Sequence, residues 1–137
     1  VKKILIIVIS IAVVLAIAVG VVIAQAKRTI SRIETEYAAM GTVSLSSVPD
    51  GIYHGKFGSI PVFVSLSVAV KDHRIDNISI QKQLSGKGYD AKDMIPRIMR
   101  TQNLRADAVT GATISSKCIM IAVYKALNAA GQPSPAQ

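Results

Sequence analysis

The sequence predicts an α+β protein: a small antiparallel sheet packed with two or three helices, preceded by one N-terminal transmembrane helix. Three observations carry that reading. Ile4 to Ala26 is an apolar run of 23 residues interrupted by polar side chains only at Ser10 and Gln25. Val62, Val64, Leu66, Val68 and Val70 alternate with smaller or more polar partners, the period of a strand buried on one face. Ile119, Ala122, Val123, Ala126, Leu127 and Ala130 fall on one stripe of a helix, the spacing that buries a helix face against a sheet.

As a helix the apolar run would be about 34 Å long at about 1.5 Å per residue, enough for a hydrocarbon core of about 30 Å. Ala24-Gln25-Ala26 has the small-x-small form of a signal-peptidase site, but signal peptides have apolar cores of about 7 to 15 residues. The length therefore favours an uncleaved anchor over a signal peptide. Lys2 and Lys3 precede the run and Lys27, Arg28 and Arg32 follow it, so loop charge does not decide orientation. Ile30, Ile33 and Tyr37 continue at helical spacing, as an extension of the membrane helix would. Gly41 to Ser47 reads as a linker. The expected organisation is an anchor or signal peptide over 1–26, a juxtamembrane helix and linker over 27–49, a folded domain over 50–131 and a disordered tail over 132–137.

Within the domain, Ile52 to Phe57 reads as a first strand closed by Gly58-Ser59, followed by the alternating strand and by a third, Ile75 to Ile80. Lys71 to Arg74 joins the last two as a hairpin, with His73 in a left-handed turn position. Gln83 to Tyr89 contains Ser85-Gly86-Lys87-Gly88 and reads as a polar loop, without the spacing of a phosphate-binding P-loop. Ala91, Met94, Ile95, Ile98 and Met99 lie on one helix face despite Pro96. That requires either Asp93 as N-cap with Pro96 in the first turn, or a kink. A final helix over Ile114 to Ala130 stops at Gly131 and Pro133.

The composition excludes several functions. A net charge of +8 favours anionic ligands or headgroups, yet the basic residues are scattered, Trp is absent and aromatics are 4% of the chain. With no stacking platform for bases, nucleic acid is not an expected partner. Cys118 is the only cysteine and His54 and His73 the only histidines, so neither an intramolecular disulfide nor a metal site is expected. Cys118 and Met94, Met99 and Met120 read as core.

The chemistry concentrates in Asp107-Ala108-Val109-Thr110-Gly111-Ala112-Thr113, directly before the last helix. One reading is a glycine turn followed by a capped helix start, with Thr110, Thr113, Ser115 and Ser116 as candidate caps. The other begins from a helix N-terminus, whose free N–H groups and dipole favour a phosphate. Gly111 permits an unusual backbone angle and Ala112 adds no bulk beside the Thr113 hydroxyl.

This heptapeptide matches D-x-x-[ST]-G-A-[ST] and resembles the motif of FMN-binding domains, in which a flavin transferase links FMN through its phosphate to the last Thr or Ser. The resemblance runs from about Asp50 to Ala130. Asp50-Gly51-Ile52-Tyr53 is similar to the family's opening, Val68 to Ile80 to its strand, turn and strand, and Gly88-Tyr89 to its G-Y loop. Similar flavin-bearing domains occur within sodium-translocating NADH:quinone reductase and within the corresponding electron-transport complex. The chain departs from the family at Gln81, Lys82 and Gln83, where a histidine and an acidic residue are frequent.

The resemblance implies a membrane-anchored, extracytoplasmic electron carrier with FMN esterified to Thr113, no catalytic residue of its own and no resident metal. Asp107, Gly111 and Ala112 would serve transferase recognition. Thr110, Gly111, Ala112 and Ser115 would lie at the phosphate, and Gly88 and Tyr89 near the ring. Implied partners are the membrane, the transferase, and redox proteins or a quinone-linked donor. The alternative is a noncovalent module for an anionic ligand or partner at the membrane surface. A stand-alone flavin-dependent reductase is disfavoured by the absence of a nicotinamide fingerprint and of a general acid.

Overall fold

A computed structural model describes residues 1–85 and 91–130. Helix α1 (Lys2–Ala39) is continuous over 38 residues. Its apolar half has a mean hydropathy of 3.3 over an 18-residue window, and its large side chains from Ile4 to Ile23 stay mostly exposed. One helix is thus long and apolar enough to cross a membrane. Past Ala26 the same helix turns part of its surface inward, burying Thr29 and Ile33, with Tyr37 packed at the core margin.

No basic residue stands in the last turn of α1; the cation comes from elsewhere. Arg105 Nη2 donates to the carbonyls of Tyr37 (3.0 Å), Ala38 (3.4 Å) and Met40 (2.6 Å), and its guanidinium lies 5.0 Å from the Tyr37 ring centroid. A cation at these orphan carbonyls complements the helix dipole. Lys117 pairs with Glu34 at 2.6 Å and Lys125 with Glu36 at 3.2 Å. Exposed pairs of this kind contribute about 0–1 kcal/mol each, so the buried Thr29, Ile33 and Met40 dominate the docking. The expected linker includes a short 3-10 turn at Leu45–Ser47.

The sheet is antiparallel in the order β1 (Gly51–Ser59), β2 (Val62–Lys71), β3 (Arg74–Leu84). The alternation in β2 is borne out: Val64, Leu66, Val68 and Val70 are buried and their neighbours are not. Asp72 and His73 both take positive φ, 51° and 59°, as a two-residue hairpin with a type I′ turn requires. Two register shifts, at Ser65/Leu66 and Ala69/Val70, break the alternation in β3, so Ile75 and Ile78 are both buried although three residues apart. The third strand is also longer than its sequence suggests. Gln81, Lys82 and Gln83 belong to β3, and Lys82 and Gln83 pair with Ser65 and Val64 of β2. These residues are strand rather than the approach to a loop; polar residues suffice where a neighbouring strand supplies the ladder.

Helix α2 (Met94–Thr101) starts after Asp93, with Pro96 in its first turn, where a missing N–H costs nothing. It ends on Gln102 at φ 53°, whose side chain bonds Ile75 N–H, Ile75 O and Met99 O and so ties α2 to the start of β3. Helix α3 (Thr113–Ala130) packs across β1 and β2. The approach is close at Gly55, where a Cβ would come 2.1 Å from the Ala122 carbonyl oxygen. Only glycine allows helix and strand to meet there.

Candidate functional site

The segment leading into α3 is fastened from two sides. Arg97 of α2 donates through Nη1 to the carbonyls of Asp107 (2.9 Å) and Ala108 (3.0 Å). Ser116, fully buried, accepts the Val109 N–H at 3.0 Å and donates to Ala112 O at 2.7 Å. Between these anchors the chain turns through Val109-Thr110-Gly111-Ala112, closed by Ala112 N–H to Val109 O at 2.9 Å. Gly111 sits third in this turn at φ 79°, a position that favours glycine. A Cβ on it would meet nothing within 4 Å. Gly111 is therefore required by the backbone angle, and it leaves open space beside the turn.

The hydroxyls do not cap the helix. Ala112 is the residue whose carbonyl accepts the first intrahelical bond, from Ser116 N–H at 2.8 Å, and alanine has no side-chain acceptor. Among the described residues the amides of Thr113, Ile114 and Ser115 have no acceptor. Ser116 serves the turn behind the helix, and the exposed hydroxyls of Thr110 and Thr113 bond to nothing among those residues. What results is an open helix N-terminus with three free donors, where the dipole favours negative charge.

These donors border a cleft of about 430 Å³ lined by Ile30, Pro61, Val62 and Gly111 to Ser115, within the range of small-molecule sites of about 300–1,000 Å³. Thr113 is exposed at its edge, whereas Ser115 and Ala112 are buried in its wall. One side is apolar and comes from three elements, α1, β2 and the β1–β2 turn; the other is the glycine turn and the first residues of α3.

The family model for the FMN-binding domain matches residues 55–128, more than half of the chain. The chain belongs to the FMN-binding domain family. Comparison with curated proteins and with solved structures gives no match. With its N-terminal apolar helix it is a membrane-anchored FMN-binding protein.

The residues present fit that cofactor. A phosphate needs N–H donors free of other partners, and Thr113 to Ser115 provide them; a flavin ring needs apolar walls, and Ile30, Pro61 and Val62 provide them. Of the residues singled out from the FMN-binding motif, Gly111, Ala112, Thr113 and Ser115 come together at the cleft. Thr110 lies on the turn and Asp107 two residues before it, both outside the cleft lining; Asp107 is exposed, and its backbone carbonyl is what Arg97 holds. Gly88 and Tyr89 lie outside the described residues. Sequence reasoning missed Ile30, Pro61 and Val62 as walls, Arg97 as the clasp and Ser116 as the buried strut. None carries a local signal, because each acts across a distance in the chain. No group of three or more His, Cys, Asp or Glu side chains that could hold a metal occurs among the described residues.

Cys118, one turn beyond the site, is buried and donates to Phe57 O at 3.2 Å. Burial pushes its thiol up to about 12, against a smaller opposing pull from a hydrogen bond with the Val64 backbone. A thiol so protonated is inert near neutrality.

Proposed function

We propose that the domain carries FMN covalently, through a phosphoester between the flavin phosphate and Thr113 Oγ1, and that it works as an extracytoplasmic electron carrier. The observation that carries this reading is the exposed Thr113 hydroxyl at an uncapped helix N-terminus whose first three residues, their amides free among the described residues, line a largely apolar cleft. An attached phosphate would sit where donors and dipole already favour it. Gly111 and Ala112 leave room for a flavin transferase, Asp107 stands exposed just before the turn for it to recognise, and Ser115 and the amides hold the phosphate oxygens. Thr110 is a further contact once the phosphate is in place.

The flavin supplies the redox chemistry when bound, and the chain supplies position and electrostatics. A covalent link suits an extracytoplasmic site, where no cellular FMN pool maintains occupancy, because tethering replaces a dilute equilibrium with a high effective concentration. Redox proteins or a quinone-linked donor would then be the partners. The same free amides would also serve a noncovalent phosphate-bearing ligand, which is the competing reading.

Intact mass separates the two. Full-length protein made beside an active flavin transferase is expected to gain the mass of FMN minus one water and to keep it through denaturation. Thr113→Ala is expected to lose the gain completely and Thr113→Ser to keep it. An unmodified wild type beside an active transferase would return the site to noncovalent binding.

A further inference from the structure

The hairpin between β1 and β2 points at the membrane end of the molecule. Thr29 of α1 shares a 3.0 Å hydrogen bond with Ser59 and donates to Ile60 O at 3.3 Å. Gln25, Arg28 and Thr29 line one groove with Ser59 and Ile60. Gln25 lies inside the apolar run, and Thr29 is about 4.5 Å beyond its end at Ala26, taking about 1.5 Å per residue. The hairpin tip is therefore level with the place where α1 leaves the hydrocarbon.

Its chemistry matches that depth. Past the apolar run, the exposed large hydrophobics among the described residues are Ile30 (40%), Ile52 (68%), Ile60 (74%) and Leu84 (41%). Three of these four sit at the membrane end: Ile30 on α1, Ile60 at the tip, and Leu84 on β3 opposite Phe63, next to the tip. Ile52 alone is at the far end of β1. Arg28 lines the groove at the tip and Lys27 is its neighbour just past the apolar run of α1; both are exposed and pair with no acid among the described residues. Apolar side chains beside unpaired cations at one level are the composition of a protein surface seated in a bilayer interface.

We propose that the β1–β2 hairpin tip is a second membrane contact. Ile60 and Pro61 enter the interface of the bilayer that α1 crosses, and Lys27 and Arg28 meet its anionic headgroups. The bilayer is the occupant because the surface is continuous with the helix that spans it. Two contacts fix the tilt of the domain where one helix would leave it free to swing. They also set the cleft, whose walls include Ile30 and Pro61, at headgroup depth. The inference rests on the anchoring of α1 and is independent of how the flavin is held.

The test uses the full chain in phosphatidylcholine–phosphatidylglycerol vesicles, with a nitroxide on Ile60→Cys, Asn128→Cys or Leu15→Cys. Cys118 is buried, so the label goes to the introduced thiol, and all three positions are exposed. The ratio of collision with oxygen to collision with a water-soluble metal chelate is expected to be several-fold higher at position 60 than at 128, approaching that at 15. A lipid-like value at 15 with equal, water-like values at 60 and 128 would overturn the hairpin contact alone. A water-like value at 15 would overturn the anchor and the contact together.

Discussion

The start and the middle of α3 do opposite work. From Cys118 to Val123 every residue is buried, pressed against a strand at a glycine, with its backbone donors satisfied within the helix. At Thr113 to Ser115 the same helix keeps its donors unpaired beside an open cleft. Stability is concentrated where hydrogen bonds and packing are complete, and binding capacity where they are left incomplete. The difference predicts that substitutions in the middle of α3 or facing it change stability, while those at its start change what the protein carries.

The largest effect on stability is expected at Gly55. An added methyl would meet the Ala122 carbonyl oxygen at 2.1 Å and the Ala126 Cβ at 2.9 Å, and neither a backbone carbonyl nor a Cβ is a flexible atom that could yield. Gly55→Ala is expected to cost at least about 1–3 kcal/mol, read from urea unfolding with the wild type beside it. Gly111→Ala, by contrast, would meet no atom within 4 Å and would suffer only its φ of 79°. A loss at Gly55 no greater than that at Gly111 would break the division between a packed middle and an open start.

A smaller effect sharpens the boundary between the two regions. Ser116 is fully buried yet serves the turn, linking Val109 N–H to Ala112 O. Ser116→Ala is expected to cost about 1 kcal/mol, the net worth of a hydrogen bond to the part-buried Val109 N–H, and to lower flavin attachment at Thr113 by loosening the turn that presents it. Attachment unchanged at reduced stability would show that the turn holds its shape without the strut.

How far the sequence reaches follows the same division. The period-two run in β2, the stripe on α3 and the apolar half of α1 were legible because each is a local pattern with one period. The two bulges in β3 were not, since they are fixed by pairing with β2 and leave no mark in the order Ile75, Ile78, Ile80. The motif Asp107 to Thr113 marked the glycine turn before α3. Its hydroxyls also read as caps, whereas Ala112, which has no side-chain acceptor, stands at the cap position. Walls and clasps such as Ile30, Pro61 and Arg97 act across the fold and are visible only in three dimensions.

The smallest effect concerns Cys118, where the packed middle meets the site. Its thiol is held up to about 12, from an ordinary value of 9.0, chiefly by burial. The folded state therefore keeps a proton that the unfolded state releases. By linkage the stability contributed is complete below about 9 and falls as pH rises toward about 12. Wild type is expected to lose stability over that alkaline range more steeply than Cys118→Ala, whose slope lacks this group. Below about pH 9 the two slopes should coincide, apart from a constant offset for the lost side chain. Urea midpoints at a series of pH values measure the difference directly. Parallel curves up to about pH 12 would mean that water reaches the thiol, and that the packed middle of α3 begins further along the helix than Cys118.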